Sequence, residues 1–287
     1  MRPLPLLGCF AVLLWAGAAA AAAPIPIVAA ENFYGDVARQ IGGPDVSVTS
    51  ILNNPAADPH LFEAGASTAR ALADARLVIE NGIGYDPWIG KLLRAGGGRD
   101  RTVITVAALV GRKPGDNPHI WYDPATMPAL ARALADRLAQ IDPAHRGDYE
   151  RRLARFLASL KPIDRKIATL RARLAGTPVA ATEPVFGHLL TALGMEVKNR
   201  GFQRAAMNST EPSASDIATF EDDLRNRRVK LLVYNAQASS PMARHMQAVA
   251  REAHVPVIAV TETEPEGETW QAWIGHELDA LARALPE

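Results

Sequence analysis

Short apolar runs with strand-like composition recur along this chain with helical stretches between them, and that alternation constrains the fold more than any other feature. Ile25 to Ala30 is the first run. Asn32-Phe33-Tyr34 then leads into Val37, Ala38 and Ile41, spaced as on one face of a helix that Gly42-Gly43 stops. Val46 to Leu52 alternates as a second strand, Ala66 to Ala75 reads as helix, and Leu77-Val78-Ile79-Glu80-Asn81-Gly82 reads as a buried strand ending in a turn. Further strands are predicted at Thr102 to Val106, Val179 to Thr182, Leu231 to Tyr234 and Val257 to Val260. Strands that alternate with helices pair in parallel and need cover on both faces, which places the chain in the α/β class.

One segment departs from this rhythm. Between His145 and Leu174, residues Leu153, Phe156, Leu157, Leu160, Ile163, Ile167, Leu170 and Leu174 fall at helical spacing with charges opposite. The result would be a helix of about 45 Å, with a kink expected at Pro162, which lacks an N–H. An ordinary surface helix would fit this pattern, but a rigid connector between two lobes fits it better. The expected organisation is then a leader over residues 1–23, one lobe over 24–142, the connecting helix over 143–175 and a second lobe over 176–287, each lobe a mostly parallel sheet flanked by helices. No internal repeat is visible in the sequence.

The leader carries Arg2, an apolar run from Leu6 to Trp15 and a small-residue stretch from Ala18 to Ala23, the pattern of a secretory signal. Cleavage near Ala23 would remove Cys9, the only cysteine among 287 residues, so disulfides and cysteine-ligated metals are excluded from the mature chain. The 31 basic and 31 acidic residues balance, which argues against nucleic acid or an anionic membrane as partner. An exported, periplasmic protein is expected.

His60 and His119 share a setting, Asp58-Pro59-His60 and Asn117-Pro118-His119. Proline stiffens both loops, and a pre-positioned imidazole suits a divalent metal, although a lone histidine in such a loop is as readily a surface residue. Glu183 and Glu262 follow predicted strands, at the carboxyl edge where open α/β sheets bind ligands. Glu183 before Pro184, or Glu264 before Pro265, would equally serve as a helix cap. His188, five residues after Glu183, would face away from an ion held there, and His145, His245, His254 and His276 sit in charged helical contexts.

The segments ADPHLFE (57–63), ENGIGYDPWI (80–89), NPHIWYDP (117–124) and TEPVFGHLLTALGM (182–195) resemble the periplasmic metal-binding solute receptors of zinc and manganese ABC importers. The resemblance covers nearly all of the mature chain, long central helix included. It implies a receptor rather than an enzyme, holding one divalent ion between the lobes on His60, His119, Glu183 and Glu262; Glu264, two residues on, is the alternative to Glu262 by its position in the sequence. It also implies a partner permease in the inner membrane, with a metallochaperone as a further partner and a monomeric state. Glu183 stands where zinc-type members often carry histidine, and the stretch from Gly111 to Asp116 is short where many of them carry a His-rich loop. Both departures tilt the ion from zinc towards manganese. Trp121-Tyr122 and Tyr85-Trp88 would pack around the site, with Asp123 accepting a ligand histidine's second N–H.

Four protein ligands would leave no open position for an activated water, which separates a binding site from a catalytic one. The rival enzyme reading is a secreted metal-dependent hydrolase with Glu183 as general base, and a surface adhesin on the same fold is a further alternative. No His-Glu-x-x-His helix, Gly-x-Ser-x-Gly elbow or phosphate-binding glycine loop accompanies them.

Overall fold

A computed structural model describes residues 23–96, 101–208, 210–238 and 240–286. The expected leader, Cys9 included, lies outside the described residues except for Ala23. The first lobe is built from β1 (Ile25–Glu31), α1 (Asn32–Gly42), β2 (Val46–Leu52), α2 (Ala66–Asp74), β3 (Leu77–Glu80), α3 (Pro87–Ala95), β4 (Thr102–Thr105), the short α4 (Val106–Leu109) and α5 (Thr126–Ile141). Its four strands lie in the order β2-β1-β3-β4, all parallel. After α6 (Arg146–Leu174) the second lobe continues through β5 (Pro178–Ala181), α7 (Gly187–Ala192), β6 (Glu196–Val197), α8 (Arg200–Met207), α9 (Ala214–Arg225), β7 (Leu232–Asn235), α10 (Pro241–Glu252), β8 (Val257–Val260) and α11 (Trp270–Ala284). Its order, β6-β5-β7-β8, repeats that of the first lobe strand for strand, again fully parallel. The sequence shows no such repeat because only the pattern of apolar runs, and not residue identity, is needed to specify this topology.

The connecting helix α6 runs unbroken for 29 residues, about 43 Å, straight through Pro162. The expected kink does not end the helix: Pro162 faces solvent, where water can satisfy the carbonyl of Ala158 that loses its partner. Tyr149, Phe156, Leu160, Ile163, Leu170 and Leu174 form its buried stripe. The last helix, α11, returns from the second lobe to pack on α6 and α1, and Lys166 pairs with Asp279 at 2.8 Å.

Between the lobes lies a dry aromatic layer. Phe33 stacks on Trp121 with centroids 4.7 Å apart, and Tyr122 meets Phe186 at 5.0 Å and Trp273 at 5.4 Å, both edge to face. Edge-to-face and offset pairs of this kind add about 0.5–1.5 kcal/mol each beyond area burial. One hydrophobic core therefore runs from Ile27 in the first sheet to Val260 in the second, so the lobes are welded rather than loosely hinged. Among the described residues no helix is long and apolar enough to cross a membrane.

Candidate metal centre

Loops from the carboxyl ends of both sheets meet at one point between the lobes. His60 sits in the turn Pro59–Leu61, where Asp58 Oδ1 accepts the His60 backbone N–H at 2.9 Å. His119 opens the turn Ile120–Tyr122, where Asn117 Oδ1 accepts the His119 backbone N–H at 3.1 Å. The two X-Pro-His loops thus use the same device, an Asp or Asn side chain closing on the backbone two residues ahead, with proline fixing the bend. Glu262 follows β8 and is fully buried, its own N–H held by Gln237 Oε1 at 2.5 Å.

Glu262 Oε2 lies 3.3 Å from His60 Nε2 and 3.4 Å from His119 Nε2, and the three donor atoms fall within 4.8 Å of one another. Among the described residues this is the one group of three or more histidine, cysteine or acidic side chains so disposed. The tautomer of His119 follows from its surroundings. Asn117 Nδ2 donates to Pro184 O at 2.7 Å, which fixes the amide so that Oδ1 faces the ring, and His119 Nδ1 donates to it at 2.6 Å. That leaves Nε2, buried and without a hydrogen-bond partner, directing its lone pair at a carboxylate. A lone pair facing an anion in a buried site is unfavourable unless a cation stands between them. These donors therefore fit a divalent ion, whose bonds to imidazole nitrogen and carboxylate oxygen are about 2.0–2.2 Å long.

Burial opposes charge on Glu262, but the imidazoles of His119 and His60 standing against it outweigh burial and hold the carboxyl well below the usual range. Reciprocally, the hydrogen bond to Glu262 pushes the pKa of His60 up to about 9 against the opposing effect of burial. Without metal, the His60 proton stands in for the missing cation.

Of the four residues singled out from the sequence, the fold brings His60, His119 and Glu262 together. Glu183 stands just outside: Asn235, the last residue of β7, donates through one amide nitrogen to Glu183 Oε2 at 2.9 Å and to Glu262 Oε1 at 2.5 Å. Burial, only partly offset by that bond, raises the pKa of Glu183 to about 7. Tyr85 completes the surround, its hydroxyl donating to Glu262 Oε2 at 2.9 Å. It is delivered by Gly82-Ile83-Gly84, three successive residues with φ of 81°, 45° and 87°, a left-handed run that glycine adopts freely and isoleucine rarely.

Two expectations are corrected. Glu264 does not substitute for Glu262: its backbone pairs with the Asn32 side chain and its carboxyl lines a separate cleft with Asp36. Asp123 does not hold a ligand histidine, because Arg112 and the N–H of Ala125 occupy its carboxylate, and Asn117 takes that role instead. His188 is not among the grouped donors: its Nε2 donates to Asn117 O at 2.9 Å, backing the loop that carries His119. Sequence reasoning missed Asn117 and Asn235 altogether. Asn117 was signalled by its place two residues before His119, and Asn235 by its position at a strand's carboxyl end.

The family model described as ZnuA, zinc-uptake complex component A, periplasmic, matches residues 27–284. The manganese ABC transporter substrate-binding lipoprotein PsaA of Streptococcus mitis is 22% identical over 288 residues, covering 93% of this chain and 91% of that protein. The structure of the periplasmic zinc-binding protein TroA from Treponema pallidum superposes with a TM-score of 0.78 at 20% identity, over 92% of this chain and 100% of that one. A Pseudomonas aeruginosa protein, FpvC, solved in complex with Mn2+, superposes with a TM-score of 0.73 at 21% identity, over 91% of this chain and 98% of that one.

Proposed function

The chain belongs to the ZnuA family of periplasmic zinc-uptake components, and from that premise we propose that it holds one divalent transition-metal ion on His60, His119 and Glu262, with Glu183 as the fourth ligand. It is a substrate-binding receptor of an ABC importer, works outside the cytoplasm and has a membrane permease as partner. The observation that carries the ligand assignment is the convergence of two imidazole Nε2 atoms on one buried carboxylate, with the His119 nitrogen otherwise unpartnered.

The ion is cargo, so capture and release both matter. Its arrival displaces the His60 proton and meets the carboxylate of Glu262, already ionised. Glu183 turns in from Asn235 to join them. Two carboxylates then balance the double positive charge, and four protein ligands leave no site for an activated water, which fits carriage rather than hydrolysis. Two carboxylates beside two imidazoles suit manganese, while zinc ranks higher in intrinsic affinity, so the ion is manganese or zinc, whichever the compartment supplies. His60 is the exposed ligand, its side chain 38% accessible against 2% for His119 and none for Glu262. With the lobes welded by the aromatic layer, release proceeds by withdrawal of the His60 loop. The receptor acts as a monomer, loaded directly or by a metallochaperone.

Titration calorimetry with elemental analysis tests this reading. One ion per chain is expected, with H119A weakening binding by more than the about 10–100-fold that loss of an outer contact costs. Unchanged affinity in a folded H60A/H119A double variant would refute the assignment.

A further inference from the structure

A second cleft, of about 500 Å³, opens between the lobes and is walled by the loop carrying Asn117 and Asp123 on one side and by α7 and α8 on the other. None of the metal donors lines it; Asn117 and His188 form its wall nearest to them. Its electrostatics differ from those of the chain as a whole. In a protein with equal numbers of acidic and basic residues, this cleft gathers Arg112, Arg200 and Arg204 around the single carboxylate of Asp123.

Arg112 already pairs with Asp123. The other two have no carboxylate partner among the described residues: Arg200 gives its Nε to Val197 O at 3.3 Å, and the guanidinium of Arg204 has no hydrogen bond or ion pair there. They stand one helical turn apart on α8, which puts both guanidiniums on the same face. The remaining polar wall, Asn117, Thr191, Gln203 and His188, is uncharged or spoken for: Asn117 and His188 bond across the lobes, Thr191 to Gly187 O and Gln203 to Asn199. The cleft's unspent capacity is thus that of two planar, permanently charged forks, which match the oxygens of carboxylate or phosphate bidentately. Its volume lies within the range of small-molecule pockets.

We propose that this cleft is an anion site that takes a small oxyanion bearing two or more negative charges, a polycarboxylate or a phosphate, on Arg200 and Arg204. It is separate from the metal site, and its occupancy does not require the ion.

The test is calorimetric titration of metal-free full-length protein with two probes, inorganic phosphate and tricarballylate, which separate the phosphate and carboxylate forms of the same chemistry. Saturable binding of one or both is expected, weakened at least about 10-fold in R200Q/R204Q, the loss of a pair of charge-assisted contacts. The R132Q/R137Q variant removes the same charge from α5, outside the cleft, and should bind as the parent does. Retained one-to-one metal binding shows that each variant is folded. No saturable binding of either probe, or binding in R200Q/R204Q within two-fold of the parent or no weaker than in R132Q/R137Q, would overturn the proposal.

Discussion

The hydroxyl of Tyr85, carried by the first lobe, donates a hydrogen bond of 2.9 Å to Oε2 of Glu262, carried by the second. The same oxygen faces both imidazoles, so the tyrosine fixes the oxygen the histidines share while Asn235 holds the other.

Removing that hydroxyl leaves the ring's packing against Trp121 in place and takes from the carboxylate the donor on Oε2, leaving Asn235 on Oε1. Y85F should keep its thermal stability to within about 1 kcal/mol and lose about 10–100-fold in metal affinity, the usual cost of an outer contact to a ligand. Thermal melts of the metal-free protein and titration calorimetry report the two effects separately.

Metal uptake should release protons. Because the pKa of His60 is raised to about 9 by Glu262, this histidine is protonated at pH 7.5 without metal and must be neutral with it, so about one proton leaves per ion bound. Affinity should rise with pH up to about 9 and level off above it. The His60 contribution to metal-free stability runs the other way, present below 6.5 and lost as pH rises through about 9, whereas that of Glu262 is present above 4.5 and lost in strong acid. Calorimetry in buffers of differing ionisation enthalpy counts the protons. Equal heats in all buffers at pH 7.5 would contradict the His60–Glu262 coupling.

Asn117 sets the tautomer of His119, so N117A should weaken metal binding by about 10–100-fold although it touches no ion. N117D keeps the acceptor but loses the donor to Pro184 O, and should recover much of the affinity. Calorimetric comparison of the two variants distinguishes orientation of the imidazole from the tie between the lobes.

Glu277 is a buried acid outside the site, its pKa raised by burial to about 8 despite bonds from Tyr122, Trp273 and Thr261. A raised carboxyl pKa costs stability as pH climbs from 4.5 towards 8. Glutamine retains the acceptor and cannot ionise, so E277Q should melt about 2–4 °C higher than the parent at pH 8, for each kcal/mol recovered, and no higher at pH 4. Melting curves at the two pH values decide it.

Phe186 is 1% exposed and bears edge-on against Tyr122 at the seam between the lobes. F186A should cost about 3–5 kcal/mol of stability, measured by denaturant unfolding. It should also speed metal loss by slackening the contact between the lobes, as read by transfer to a chelator.

How much of this was legible in the sequence can be traced residue by residue. Apolar runs of four to seven residues between helical stretches dictate parallel sheets, because no other arrangement covers both faces of such strands. The stripe from Leu153 to Leu174 dictates one long helix, and the prolines at 59 and 118 dictate stiff loops that present histidine. These are local properties, set by side-chain spacing and backbone restriction. The choice of Asn117 over Asp123 as the partner of His119 is not local: Arg112 claims the aspartate, and Pro184, 67 positions along the chain, orients the asparagine. Nor could spacing show that Asn235 would bridge Glu183 and Glu262, or that Glu264 would turn towards Asn32, since alternation along a strand or loop says which residues share a side but not what the other lobe brings to meet them. The sequence determined the elements and the kinds of donor available; packing of one lobe against the other decided which donors share a point in space, because burial and hydrogen-bond satisfaction are settled only when both surfaces are present.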